Sequence, residues 1–158
     1  MCSSDLFLER DAETAAVVDL HFARGSTLPP DHLEWVGLLR SCSAFEAYCR
    51  CYTADLGPER IAEFLLLNSE FPRSVRFAAA RIESALRAIA HLTGRGAGGR
   101  TERLAGRLHA SLDYGQVDEI LNDDPHTYLL GIGVCCAQIH AAAYQSYVTY
   151  PIESALPA

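Results

Sequence analysis

The sequence predicts an all-α fold, a helical bundle of five to seven helices. Apolar residues recur at spacings of three and four along most of the chain, the period of one face of a helix. The breaks in that pattern carry helix start signals, with Pro29, Pro30, Pro58, Pro72 and Pro125 each placed at the head of a periodic run. No alternating strand pattern of useful length occurs.

Taken in order, Leu6 to about Phe22 is the first expected helix, with Leu8, Ala12, Ala15, Val18 and Phe22 at helical spacing. Gly25 to Pro30 reads as a loop, after which Pro29, Pro30 and Asp31 open a second helix reaching about Thr53. Gly57-Pro58 is a turn that starts a third helix, ending near Asn68. Pro72 is expected to begin the fourth, whose stripe is Val75, Ala78, Ala79, Ile82, Leu86 and Ile89. The glycine-rich stretch Gly94 to Arg100 follows a helix rather than a strand and contains no lysine, so it reads as a linker and not a phosphate cradle. A fifth helix spans about Thr101 to Leu112, and a short helical turn follows Gln116. Asp124 can cap the last helix, with Pro125 at its first position and Pro151 at its end.

A length of 158 residues fits one domain, and 49% hydrophobic composition is enough for a core. A net charge of −7 argues against general nucleic-acid binding. All 13 basic residues are arginine, which excludes a lysine Schiff base or a P-loop. Cys2, Cys42, Cys49, Cys51, Cys135 and Cys136 form no CxxC pair and show no zinc spacing, so they read as small apolar residues in a reducing compartment. No basic-then-apolar leader opens the chain, and a cytoplasmic location is expected. From Thr127 to Thr149 there is no Asp, Glu, Lys or Arg, a length that suits a membrane span. Gln138, His140, Gln145 and Ser146 interrupt it, and the reading preferred is a central bundle helix, apolar all round, with no membrane partner.

Four blocks occur in order: FLERDAETAAVVDLHF, WVGLLRSCSAFEAY, PERIAEFLLLNSEFPRSVRF and ERLAGRLHASLDYGQVDEIL. Together they resemble the bacterial alpha-E domain family over about residues 7 to 150. The family members are about twice this length, with two related helical halves. This chain resembles the C-terminal half only, so an N-terminal half of its own chain is one expected partner and an uncovered apolar face is expected. MCSSDL, residues 1–6, does not fit the family and is expected to be an artefactual N-terminus; residues 151–158 form a tail. The resemblance implies association with circularly permuted ATP-grasp proteins and transglutaminase-like proteases. The role it implies is that of an accessory or binding module in a peptide-ligation or peptide-modification system. Two alternatives stand beside it: an enzyme using glutamates as acid and base on an amide or carboxylate substrate, and a purely structural interaction protein.

Glu9 and Arg10 match the family's E-R pair, although Ala12 and Ala16 stand where the family has an acid and an arginine. Glu46 is the main catalytic candidate, with Glu9 second. Glu46 lies between Phe45 and Tyr48, with Cys42 and Cys49 at helical spacing, and a carboxylate desolvated in such company gains basicity. Arg73 and Arg76 share a helix face near a helix start, where the helix dipole disfavours cations. An anion is expected to resolve that conflict, either an internal carboxylate such as Glu46 or a ligand. Asn68 and Ser74 flank the turn and are expected to cap it, and Arg10, Asn68, Arg73, Ser74 and Arg76 form the expected binding set. His109 reads as a surface histidine and His140 as a hydrogen-bonded core one. No Glu-x-x-His occurs, so no metal is expected, and no cofactor.

Overall fold

The computed structural model describes residues 2–23, 32–53, 55–93 and 98–147, with side chains from residue 7 onward except that of Ala23. Among these residues there are eight α-helices and no strand. They are α1 (Cys2–Ala23), α2 (His32–Ser41), α3 (Phe45–Tyr52), α4 (Pro58–Ala62), α5 (Val75–Leu92), α6 (Arg100–Asp113), α7 (Val117–Asn122) and α8 (Pro125–Tyr147). The all-α bundle is as expected, with one helix more than the expected range. The expected loop after Gly25, most of the glycine-rich linker and the Pro151 stop lie outside the described residues.

The additional helix arises from a break in the expected second one. Ser43 takes a left-handed conformation, φ 51°. It closes α2 by donating its N–H to the Arg40 carbonyl at 2.9 Å, while the Ala44 N–H donates to Leu39 at 2.7 Å. α3 then starts afresh. The second correction is at Pro72, which lies in a turn, because α5 begins at Val75. Ser74 is its N-cap, with its hydroxyl accepting from the Phe77 N–H at 3.1 Å. At Asp124 the expectation holds, since its carboxylate accepts from the Thr127 N–H at 3.0 Å.

α1 packs most extensively on α8 and α5, and α6 covers α5 and α8. α1 buries Leu8, Asp11, Ala15 and Val18, while α8 answers with Leu129, Ile132, Cys136, Ile139 and Ala142. Both sets step by three and four, so each helix presents one stripe. α1 and α8 run antiparallel, with Asp19 near the end of α1 bonded to His126 near the start of α8 at 2.9 Å. The expectation of a central helix is corrected: α8 is apolar on both sides, but only one side is packed, and Leu130, Val134 and Tyr144 are exposed on the other. Leu20 of α1 is exposed as well. By length and composition α8 could cross a membrane, while in this fold it supplies a wall of the core.

α4 continues into a π-helical turn, Glu63–Leu67, in which Phe64, Leu65, Leu66 and Leu67 are all buried. An ordinary amphipathic helix cannot bury four consecutive residues against one neighbour; here the widened turn sits among several elements. Phe64 stacks on Phe71 at 4.6 Å between ring centroids and meets Tyr48 edge-on at 5.4 Å. Such pairs contribute about 0.5–1.5 kcal/mol each beyond their buried area. They fasten α3 and the Asn68–Ser74 turn to the core, and that turn fixes where α5 begins.

Candidate functional site

The expected polar centre does not assemble. Glu46 is exposed and has no ion pair among the described residues. The break at Ser43 is the reason: α3 starts at Phe45, and its core-facing side is set by Tyr48, which is fully buried. Glu46 falls in the first turn on the outer side, so the spacing to Cys42 does not run along one helix. Arg73 is exposed too, and the expected pair between Glu46 and Arg73 or Arg76 is absent.

Arg76 does find an internal carboxylate, but a different one. Its guanidinium bonds Asp113 at the end of α6 and also donates to the Leu67 carbonyl at 3.2 Å. One side chain therefore ties the start of α5 to the end of α6 and to the π-turn. Asn68 accepts from the Glu70 and Phe71 N–H groups at 2.8 Å each. Ser74 caps α5 and donates to the Asn68 carbonyl. Asn68 and Ser74 are thus committed to the turn, as expected of caps.

Glu9 is exposed on α1. Arg10 is half-buried with its guanidinium 4.8 Å from the Phe7 ring centroid, within reach of a cation–π contact. The next residue carries no distinguishing signal in the sequence. Asp11 is 1% exposed, and its Oδ2 has no hydrogen-bond partner. Burial pushes its carboxyl up to about 8, with Arg10 pulling the other way. Cys136 on α8 is close enough that Asp11 helps raise its thiol to about 12, after burial as the main cause. Burial likewise lifts Cys42 to about 11. Both are protonated packing residues at neutral pH, in keeping with their expected apolar role.

Among the described residues a groove of about 770 Å³ lies elsewhere, along the seam of α5 and α6. On α6, Glu102, Gly106, His109 and Asp113 step by four, three and four, forming one lining row; Arg103, Arg107, Ala110 and, at its C-cap, Tyr114 form the next. From α5 come Glu83, Arg87 and Ala90. Glu83 is 9% exposed and holds two partners, His109 Nδ1 at 2.6 Å and Arg87 at 2.6 Å. Gly106 makes room for it, since a Cβ there would stand 3.1 Å from Glu83 Oε1. Glu102 folds back against Gly99 at the start of α6 and accepts from the Tyr147 hydroxyl at 2.5 Å.

The charge accounting of this groove is one-sided. Its three carboxylates are all engaged: Glu83 by His109 and Arg87, Glu102 by Tyr147, and Asp113 by Arg76. Arg103 donates to the Gly98 carbonyl at 2.7 Å, and neither it nor Arg107 has a carboxylate partner among the described residues. Two like charges one helical turn apart repel by a few tenths of a kcal/mol, and an anion between them removes that cost. His109, read from sequence as a surface residue, is a half-buried member of this groove. The available signal was the run of Arg100, Arg103 and Arg107 beside it, but its carboxylate partner lies 26 residues away on α5. Among the described residues no group of three or more His, Cys, Asp or Glu side chains is placed to hold a metal ion.

These features define an all-α bundle with an arginine-lined groove along one helix pair. The chain belongs to the Alpha-E family, described as a predicted alpha-helical domain with a conserved ER motif, whose model matches residues 6–148. The dipeptide Glu-Arg occurs here at Glu9–Arg10, Glu59–Arg60 and Glu102–Arg103, and the last of these lines the groove. No curated protein and no solved structure matches the chain.

Proposed function

We propose that this domain is a binding module of a peptide-ligation or peptide-modification system, working beside an ATP-grasp or transglutaminase-like partner in the cytoplasm. Its ligand site on this reading is the α5/α6 groove, and the ligand is an anion, most simply a peptide carboxylate. The observation that carries the reading is the pair of arginines, Arg103 and Arg107, left without carboxylate partners beside three engaged acids. Arginine suits the task because its planar fork meets a carboxylate with two parallel hydrogen bonds. The link to an ATP-grasp partner rests on the family resemblance and not on the groove.

The test is reconstitution with a circularly permuted ATP-grasp protein from the same genome, with peptide ligation followed by ATP consumption and product mass. Addition of this chain is expected to raise the rate or lower the peptide concentration needed. An Arg103→Ala, Arg107→Ala double variant is expected to lose that effect while keeping its helical signal. Equal ligation with and without the chain would remove the accessory role.

The enzyme reading keeps one specific support, the Glu83–His109 pair. A carboxylate bonded to Nδ1 fixes the imidazole and leaves Nε2 as the nitrogen available for proton transfer. Glu46 and Glu9, the glutamates expected for this role, lie exposed and away from that pair.

A further inference from the structure

The geometry points to a more specific ligand for this groove, an extended acidic peptide segment with glutamate or aspartate at alternate positions. The inference rests on the groove being an anion site and adds the shape and register of what fills it.

Shape comes first. From Glu102 to Tyr114 the α6 lining residues run about 18 Å at the rise of a helix. An extended peptide of about six residues covers that length. The groove is long and open along the helix seam, bounded by Tyr114 at one end and by Gly98 at the other, which suits a chain more than a compact small molecule.

Register follows from two periodicities. Arg103 and Arg107 are four residues apart on one helix, a rise of about 6 Å. Side chains on the same face of an extended strand recur every two residues, about 6.7 Å. Two acids separated by one residue therefore face both arginines at once. Two adjacent acids point to opposite sides of the strand, and only one can reach.

Charge selects a peptide over the other common polyanion. The chain as a whole carries −7, and α6 has three arginines against two acids, so Arg103 and Arg107 are a small basic patch on an acidic protein. The carboxylates of Glu83, Glu102 and Asp113 lie along the same groove. A nucleic-acid backbone, with a phosphate at every step, would meet them as well as the arginines. An alternating peptide presents its second face without charge.

The experiment is fluorescence anisotropy of the whole chain with fluorescein-labelled Gly-Glu-Gly-Glu-Gly-Gly, and with its isomer Gly-Glu-Glu-Gly-Gly-Gly, at low ionic strength. The alternating peptide is expected to bind saturably and to weaken with salt. Arg103→Gln and Arg107→Gln are each expected to weaken it about threefold to fivefold, the upper part of the range for an exposed ion pair. The adjacent-acid isomer is expected to bind weaker by a similar factor. Arg81→Gln, an exposed arginine on α5 outside the groove lining, is expected to change nothing. Equal binding of the two isomers, or unchanged binding by the arginine variants, overturns the inference. So does an oligothymidylate that competes equally well with the same arginine dependence. Binding of free glutarate or inorganic phosphate without either peptide also overturns it, and leaves the groove as a simple anion site. No binding of any of these probes removes both the inference and the reading beneath it.

Discussion

Glu83 of α5 and His109 of α6 meet at 2.6 Å across the seam that carries the groove. Glu83 is nearly buried and His109 half-buried, so the contact is shielded from solvent in a way that exposed ion pairs are not. Arg87 holds the other oxygen of the same carboxylate. The pair thus does two things: it locks the register of two helices and it fixes the imidazole.

Glu83→Gln is expected to destabilise the chain by about 1–3 kcal/mol, the cost of leaving a hydrogen-bonded group poorly paired in a shielded place. His109→Gln is expected to cost less. Their double variant should be less destabilised than the sum, with a coupling of about 0.5–3 kcal/mol. Urea unfolding of the four proteins gives the cycle. Additive losses would mean that the two side chains do not act as a pair.

Ser74 joins two elements through one hydroxyl. It accepts from the Phe77 N–H at the head of α5 and donates to the Asn68 carbonyl at the close of the π-turn. It is also fully buried. Ser74→Ala is expected to cost about 1–2 kcal/mol, at the upper end for an N-cap, because the half-buried Asn68 carbonyl loses its donor as well. Ser74→Thr should recover most of that. Thermal unfolding checks both, and a melting point unchanged by the alanine would refute the bridging role.

Thr53 ends α3 in the left-handed region, φ 48°. A β-branched side chain is poorly suited there, whereas asparagine tolerates it. Thr53→Asn is expected to stabilise by up to about 1 kcal/mol, read as a raised urea midpoint with unchanged slope. A lowered midpoint would show that the threonine side chain makes a compensating contact.

The helices were legible because their apolar stripes are strong, as in Val75, Ala78, Ala79, Ile82 and Leu86 of α5, all buried. The break at Ser43 was not legible. SCSAF contains no glycine or proline, and the left-handed turn is imposed by packing of α2 and α3 rather than by local preference. Missing it put Glu46 on the wrong side of its helix. The start of α5 was misplaced for a simpler reason, since proline is tolerated equally at a helix start and in the turn before it. The caps Asn68, Ser74 and Asp124 could be read because capping is local. The groove could not, because its partners meet across α5 and α6 and periodicity says nothing about which polar residues face each other. Asp11 was hidden by its neighbours: in ERDAE four polar or charged residues crowd five positions, and only the fold shows that Asp11 shares the core-facing stripe with Leu8, Ala15 and Val18.

Asp11 gives the bundle a pH dependence opposite to that of a salt-bridged acid. Its carboxyl is raised from 3.8 to about 8 in the folded chain, chiefly by burial, with Arg10 opposing and Cys136 the facing group on α8. The folded state therefore holds this proton more tightly than the unfolded state does. Its favourable contribution is complete below pH 3.8 and is lost as the pH rises towards 8. The slope from one such group is about 1.4 kcal/mol per pH unit within that window, and above it the loss is complete. Other carboxylates pull the other way at low pH, so the informative quantity is the difference between the native chain and Asp11→Asn. That isosteric variant cannot ionise. It is expected to be comparable to the native chain at pH 3.8 and below and more stable by several kcal/mol near pH 8.5, with the gap opening steadily between. Urea unfolding at half-unit steps of pH measures it. Parallel stability curves for the two proteins would mean that Asp11 ionises without penalty, and hence that water or a partner reaches its unpaired oxygen at the α1–α8 interface.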